Sequence, residues 1–509
     1  MEEEASRPAA RSVFGSLCEH RALWVLILSA LVVFSANLGH LSLKSYDDCY
    51  YAAKGLEMWR SGPGFTVTQG GAPDFQNPPL TFWLLAGSFS LLGDNDLAAR
   101  LPSLVLSILV LLMIYRVGLL LFGRRAGLVA VAALLLTPMY VMYSRRCMTE
   151  MPLTAGVVGA IWLYVEGLGR PRLHALIALP LAVGILSKSV LGLMPVLVFA
   201  GTALSPRLRP MFRNPWLWLG VLGGLALGAS WSVQQYLVHG SAFLQGHWGF
   251  QIVGRATGES SGETVTLIRA IAGYPGLLFE QYEPVILTAL AGLVFLMARG
   301  LRRTPPGAEI LIFWLVLPVV ALSLMSTYKP RYLFALLPAM ALLTGYLFQE
   351  KLPRLIRCTV CCVAPAAALL SAVVFWAAPG TLTGDENQIY KQTTEIAASD
   401  GLRGAVVPYF GNPRTKDVYW KRANAMRRYW NAELQYSGDD RRSDEGAAYW
   451  SAAAAAHRAM SLEHCSLIVE EYREPEIGAL GVEYSVVLDG GAWRWIRFPK
   501  PRESASEAG

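Results

Sequence analysis

The stretch "PPLTFWLLAGSFSLLG", residues 78–93, decides how the chain is threaded. It is apolar, but its run of about 15 apolar residues falls short of the roughly 20 needed to cross a bilayer. If it crossed, every basic connection after it would change sides. It therefore reads as a juxtamembrane element in the outer interface. The chain around it suits lipid: of 509 residues, 54% are hydrophobic and only 16% charged, against about 25% in soluble proteins. Mean hydropathy is +0.38.

The basic connections set the topology, because Lys and Arg concentrate in cytoplasmic loops. They are Arg7/Arg11/Arg21, "GRRAG" (123–127), "GRPRLH" (169–174), "SPRLRPMFRNP" (205–215), "ARGLRRTPPG" (298–307) and "QEKLPRLIR" (349–357). With these inside, helices are expected near 23–41, 99–121, 127–143, 151–167, 174–187, 190–204, 216–236, 284–298, 309–325, 332–348 and 358–378. That is an α-helical integral membrane protein of about 11 spans, amino terminus inside and carboxyl terminus outside. Residues 1–22 read as a polar cytoplasmic tail, 23–378 as the membrane domain, and 379–509 as a small extracytoplasmic α/β domain. In that last region "EGAAYWSAAAAAHRAMSLEH" (445–464) predicts a helix, and "CSLIVEEY" and "EYSVVLDGGAWRWIRF" predict strands turning at "DGG". The stretch 174–204, too long for one helix and basic at both ends, predicts a hairpin with Lys188 at its outer tip.

The +7 charge sits in short loops and does not indicate a nucleic-acid partner. Seven cysteines at irregular spacing offer neither a zinc pattern nor a disulfide framework. There is no P-loop or dinucleotide fingerprint.

The remaining polar residues collect on the outer side: the 42–98 and 237–283 loops, "YSRRCMTE" (143–150), Lys188, "STYKPRY" (326–332) and the tail. In "SLKSYDDCYYAAKGLEMWRSG" (42–62), Asp47 and Asp48 stand at the outer boundary, hemmed in by Tyr46, Tyr50 and Tyr51. A solvated loop is the plain alternative for that pair. Glu150 precedes an apolar helix, where it could serve catalysis or simply favour the helix amino terminus. Lys188 could snorkel or contact phosphate. Lys329 and Arg331 run against the positive-inside trend, while Arg145 and Arg146 can be simply interfacial. Cations beside carboxylates at a lipid boundary suit one chemistry. The cations bind the phosphate of a lipid-linked donor, and a carboxylate takes the proton of an acceptor hydroxyl. A lipid or ion transporter is the rival reading, and a non-catalytic subunit of an envelope assembly complex a third.

In order, "YDDCYYA", "QNPPLTFWLLAGSFSLLGDNDLAARLPSLV", "FGRRAGLVAVAALLLTPMYVMYSRRCMTEMPL", "LSKSVLGLMPVL" and "YKPRYLFALLPAMALL" resemble the polyprenyl-phosphate-dependent GT-C glycosyltransferases, across roughly residues 23–350. That superfamily includes the aminoarabinose transferases of lipid A and the protein O-mannosyltransferases. The resemblance implies sugar transfer from an undecaprenyl- or dolichyl-phosphate carrier at the outer face of the inner membrane, with inversion, to an envelope lipid, glycan or protein. It casts Asp47 as the base or acceptor-orienting group, with Asp48 beside it and Glu150 at a position usually Asp. It casts Lys188, Arg331 and Tyr332 near the carrier phosphate, with Lys188 in a Lys-Ser where the family has Lys-Gly. Arg255, Lys329 and Asn77 complete the expected donor-binding set. The chain departs at Tyr50, where Arg is usual, and at Gln76–Asn77, where the aminoarabinose transferases have a metal-binding Glu and a phosphate-contacting Lys. His247 lies eight residues before Arg255, a wider spacing than their ligand His. No metal or other cofactor is therefore expected.

Overall fold

The computed structural model describes residues 13–40, 42–43, 45–257, 267–300, 303–325, 329–351 and 362–377. In the carboxyl-terminal region it describes 394–399, 406–410, 433–435, 466–470, 474–480, 482–489 and 493–499, with isolated positions between. The molecule is mostly helical, with several long apolar helices.

Helix α1, Val13–Ser35, starts ten residues ahead of the expected Leu23, because the segment from Val13 holds no helix breaker but Gly15. Helix α2, Ser45–Ser61, carries Asp47 and Asp48 in its first turn, where carboxylates favour the helix dipole. A two-stranded ribbon, β1 (Thr68–Gln69) and β2 (Ala72–Pro73), leads to α3, Leu80–Leu92. At 13 residues α3 is about 20 Å long, too short to cross, and it packs against α2 where a Cβ on Gly55 would lie 2.5 Å from Leu85 Cβ.

Helix α4, Asp96–Phe122, is capped by Asn95, whose Oδ1 accepts from Ala98 N–H at 2.8 Å. Gly123, at φ 95°, takes a conformation closed to most side chains and turns the chain directly into α5, Arg124–Leu135. The two helices return along each other so closely that a Cβ on Gly118 would sit 2.6 Å from Gly127 Cα. The expected 127–143 helix is broken: α6, Pro138–Ser144, turns 74° from α5. Pro138 explains the break, since it bars helical geometry at Thr137 and starts a new helix well.

Helix α7, Glu150–Gly167, packs on α8, Ala178–Lys188, through Gly156 and Gly184. The chain then folds back into α9, Met194–Thr202. A Cβ on Gly192 would lie 2.2 Å from Gly184 C, an approach possible only after a reversal, so the hairpin with its turn at Lys188 is present. On α10, Pro215–His239, Gly224 and Gly228 take Leu181 and Ile185 of α8 against bare backbone. Then follow α11 (Leu267–Gln281), α12 (Val285–Arg299), α13 (Glu309–Ser323), α14 (Leu337–Lys351) and α15 (Ala364–Ala377).

The carboxyl-terminal region holds a five-stranded mixed sheet. Its strands are β3 (Val406–Phe410), β4 (Glu433–Gln435), β5 (Ser466–Glu470), β6 (Ser485–Asp489) and β7 (Trp493–Arg497), in the order β4-β3-β5-β7-β6. The three strands expected from sequence are β5, β6 and β7, joined antiparallel. The parallel pairs of β3 with β4 and β5 were not foreseen. The helix expected at 445–464 lies largely outside the described residues, of which Ala455 and Ala459 are helical. The buried guanidinium of Arg428 pairs with Asp94 and, at 3.3 Å, with Asp96, tying this region to the start of α4.

Candidate functional site

Four elements that are distant in sequence bring their charged residues together. Asp47 opens α2, Glu150 opens α7 and Lys188 closes α8. Arg331 sits in the short 3-10 turn Pro330–Leu336 that leads into α14. That turn is held where Tyr282 Oη donates to Pro330 O at 2.9 Å.

Arg331 Nη1 donates to Asp47 Oδ2, and its Nε lies 3.9 Å from Glu150 Oε1. Lys188 Nζ donates to the same Glu150 oxygen at 2.5 Å. The result is an alternating chain, Asp47–Arg331–Glu150–Lys188, with two carboxylates and two cations. The Tyr332 ring lies 5.4 Å from Lys188 Nζ, within cation–π range. Glu150 is therefore more than a dipole partner for α7, since it orders both cations.

Exposure separates the two aspartates. Asp47 and Arg331 are each about one-fifth exposed (21% and 20%), whereas Asp48 is at 1%. Asp47 is thus the more accessible of the two carboxylates. Asp48 Oδ1 accepts from Arg146 Nε at 3.0 Å, and its buried Oδ2 has no hydrogen-bond partner among the described residues. Burial pushes the Asp48 carboxyl up to about 6, against the pull of Arg146 and Arg100.

Arg145 and Arg146 are not merely interfacial. Arg145 donates to the carbonyls of Val33, Phe34 (3.2 Å) and Ala36 (2.5 Å), closing the carboxyl end of α1, and lies 3.8 Å over the Phe375 ring. Arg146 is the partner of Asp48. Composition and spacing could not separate these adjacent residues.

A second polar cluster escaped the sequence reading. Lys54 is 1% exposed and bonds Asp74 Oδ1 at 2.9 Å and the Tyr50 hydroxyl. Tyr50 Oη donates to Gln76 Oε1 at 2.7 Å. The cluster ties the loop carrying Gln76 and Asn77 to α2. One sequence signal was present: Lys54 falls four residues after Tyr50 on a helix, hence on the same face.

The remaining expected residues are more dispersed. Lys329 is exposed and precedes Arg331 by two positions. Asn77 is half-buried beside Gln76. Arg255 lies in the helical turn Gly254–Thr257, and its side chain is outside the described residues. His247 is fully buried in the π-helix Leu244–Val253. Its Nδ1 lies 2.7 Å from Phe75 O and its Nε2 3.0 Å from Ser189 Oγ, so both ring nitrogens are engaged by the protein. Burial lowers its pKa below the ordinary imidazole value and keeps the ring neutral. Among the described residues no three His, Cys, Asp or Glu side chains cluster as metal ligands.

Residues 76–233 match the family model described as dolichyl-phosphate-mannose-protein mannosyltransferase. An uncharacterized protein of Aquifex aeolicus is 23% identical over 63% of this chain and 62% of its own length. The undecaprenyl phosphate-alpha-4-amino-4-deoxy-L-arabinose arabinosyl transferase of Pseudomonas savastanoi is 25% identical over 64% of this chain and 61% of its own. The chain thus spans about three-fifths of the length of these curated relatives. The crystal structure of ArnT from Cupriavidus metallidurans bound to undecaprenyl phosphate superposes with a TM-score of 0.73 at 16% identity, covering 98% of this chain and all of that one. The oligosaccharyltransferase of Archaeoglobus fulgidus gives a TM-score of 0.54 at 12% identity, over 91% of this chain and 71% of that one. The fold is that of ArnT, and the resemblance to polyprenyl-phosphate-dependent GT-C glycosyltransferases is borne out.

Proposed function

We propose that this chain is an inner-membrane glycosyltransferase that moves a sugar from a polyprenyl-phosphate carrier to an envelope lipid, glycan or protein at the outer face. The observation that carries the reading is the alternating chain Asp47–Arg331–Glu150–Lys188, in which two cations sit beside one accessible carboxylate. The likeness to an ArnT described as bound to undecaprenyl phosphate supports the donor class.

In this mechanism Arg331 and Lys188 receive the donor phosphate and Tyr332 backs Lys188, while Lys329, Asn77 and Arg255 are assigned to the donor from the neighbouring segments. The incoming phosphate competes for Arg331 and draws it from Asp47. Freed of its cation, Asp47 takes the proton of the acceptor hydroxyl as that oxygen attacks the anomeric carbon. The bond from that carbon to the phosphate oxygen breaks on the opposite face, inverting the centre, and the polyprenyl phosphate leaves as an anion held by the two cations. Glu150 keeps both cations in place, and Asp48 orders Arg146 beside them. The mechanism invokes no metal, a reading supported by Gln76, whose side-chain oxygen accepts from Tyr50, and by His247, whose two nitrogens both meet protein atoms.

The same reading places about 11 spans in the membrane, the amino terminus in the cytoplasm and the 379–509 region outside. Four helical stretches pass by length and composition, one of which, Pro171–Thr202, folds back at Lys188; two bent helix pairs could add spans, and four shorter apolar helices remain, all among the described residues.

The test is mass spectrometry of lipids that copurify with the protein and with Asp47→Asn. A polyprenyl-phosphate sugar enriched in the variant is expected, and its mass names the sugar. If folded protein of both kinds carries no polyprenyl phosphate, the proposal is wrong.

A further inference from the structure

His247 joins three of the four segments on which the expected donor-binding residues are distributed, the Arg331 turn being the fourth. It is itself part of the π-helix Leu244–Val253, which runs directly into the Gly254–Thr257 turn carrying Arg255. Its Nδ1 meets Phe75 O at 2.7 Å, two residues before Asn77. Its Nε2 meets Ser189 Oγ at 3.0 Å, one residue after Lys188. A carbonyl only accepts, so Nδ1 carries the proton and donates to Phe75; Nε2 then accepts from the Ser189 hydroxyl.

The surroundings leave the ring one orientation. It stacks on Phe243 at 5.4 Å and meets the edge of Trp231 at 4.9 Å. Gly246 brings the π-helix against Phe75, where an added Cβ would lie 3.1 Å from the Phe75 ring. π-Helical turns are rare and concentrate at functional sites.

Ser189 supplies the second observation. Its φ of 48° lies in the left-handed half of conformational space, which residues other than glycine enter at a cost. Glycine would relieve that strain but would leave His247 Nε2 without its donor.

We propose that the Ser189–His247–Phe75 link is a latch holding the Lys188 turn, the Asn77 loop and the Arg255 segment in one arrangement for the donor phosphate, with Ser189 and His247 as positioning residues. The latch rests on the reading of this site as a polyprenyl-phosphate site. It costs backbone strain at Ser189 and returns a preorganised cluster of cations.

The experiment titrates undecaprenyl phosphate into the purified full-length protein in detergent. Ser189→Gly removes the hydroxyl and relieves the strain together. It is expected to melt no lower than the native protein yet to bind the lipid about fivefold more weakly, one hydrogen bond's worth. A structural role alone would move both readouts the same way. Ser189→Ala keeps the strain, so it should melt lower and bind as weakly as Ser189→Gly. His247→Gln can still accept from Ser189 and should bind better than His247→Ala. Native-like binding by Ser189→Gly would overturn the proposal, as would weak binding by Ser189→Ala alone.

If the native protein binds no undecaprenyl phosphate, the donor reading fails separately. The latch is then read from hydrogen–deuterium exchange. Faster exchange over residues 244–257 in Ser189→Gly supports it, and unchanged exchange refutes it.

Discussion

Replacing Glu150 by Gln tests whether this residue orders the cation cluster or merely begins a helix. As a charge at the amino terminus of α7, its loss would cost about 0.3–1 kcal/mol. The structure makes it a buried partner of two cations, with Lys188 Nζ at 2.5 Å and Arg331 Nε at 3.9 Å, and only 1% of its side chain exposed. At an effective dielectric of about 20, those separations correspond to attractions of roughly 7 and 4 kcal/mol before desolvation is charged against them. Removing one partner of such a buried pair typically costs about 3–5 kcal/mol, because the remaining charge is left uncompensated. The expected result is therefore a melting temperature several degrees lower, measured on purified protein in detergent. Undecaprenyl phosphate should move the other way, binding the variant more tightly, because its phosphate then supplies the missing negative charge and restores the lost stability. A melting temperature within about 1 °C of native, with unchanged lipid affinity, would reduce Glu150 to a helix-terminal charge and refute its role in ordering the cations.

Asp48 should make stability depend on pH. Its carboxyl is raised to about 6 from 3.8, so the folded state holds a proton that the unfolded state releases. Its protonated form stabilises the fold fully below about pH 4, and about 3 kcal/mol is lost as pH rises to about 6. Unfolding titrations should show this slope in the native protein and a flatter one in Asp48→Asn; equal slopes would mean that Asp48 is not desolvated. Lys54→Met should cost about 3 kcal/mol by leaving Asp74 without its cation, and should speed proteolysis within 62–79; native protection there would dissociate the loop from α2. Arg145→Ala leaves three carbonyls at the end of α1 unpaired and should cost at least about 3 kcal/mol without weakening undecaprenyl phosphate binding. Lipid binding lost in step with stability would instead place Arg145 in the donor site.

The reading of 78–93 as too short to cross rests on length against bilayer thickness, and α3 carries that limit in its 13 residues. The hairpin at Lys188 was readable for a similar reason, because two basic flanks and an overlong apolar run admit few foldings. The bend at Thr137 was passed over because apolar content on both sides of Pro138 masked the proline's effect. The parallel strand pairs of the carboxyl-terminal sheet join segments far apart in sequence, and no turn signal announces such pairing.

The sequence by itself determined the apolar character of this protein, the short reach of α3 and the identities of the candidate charged residues. Composition, run length and charge placement are local quantities, and lipid imposes strict limits on each. It did not determine which charges meet. Asp47 and Asp48 are neighbours in the chain, yet one faces Arg331 at the accessible site and the other is buried against Arg146. A helix turns about 100° per residue, so adjacent side chains point to different partners. Only the packing of α2, α7, α8 and the Arg331 turn decided which carboxylate stays accessible. The same packing set Arg145 to close a helix and His247 to bind protein atoms at both nitrogens.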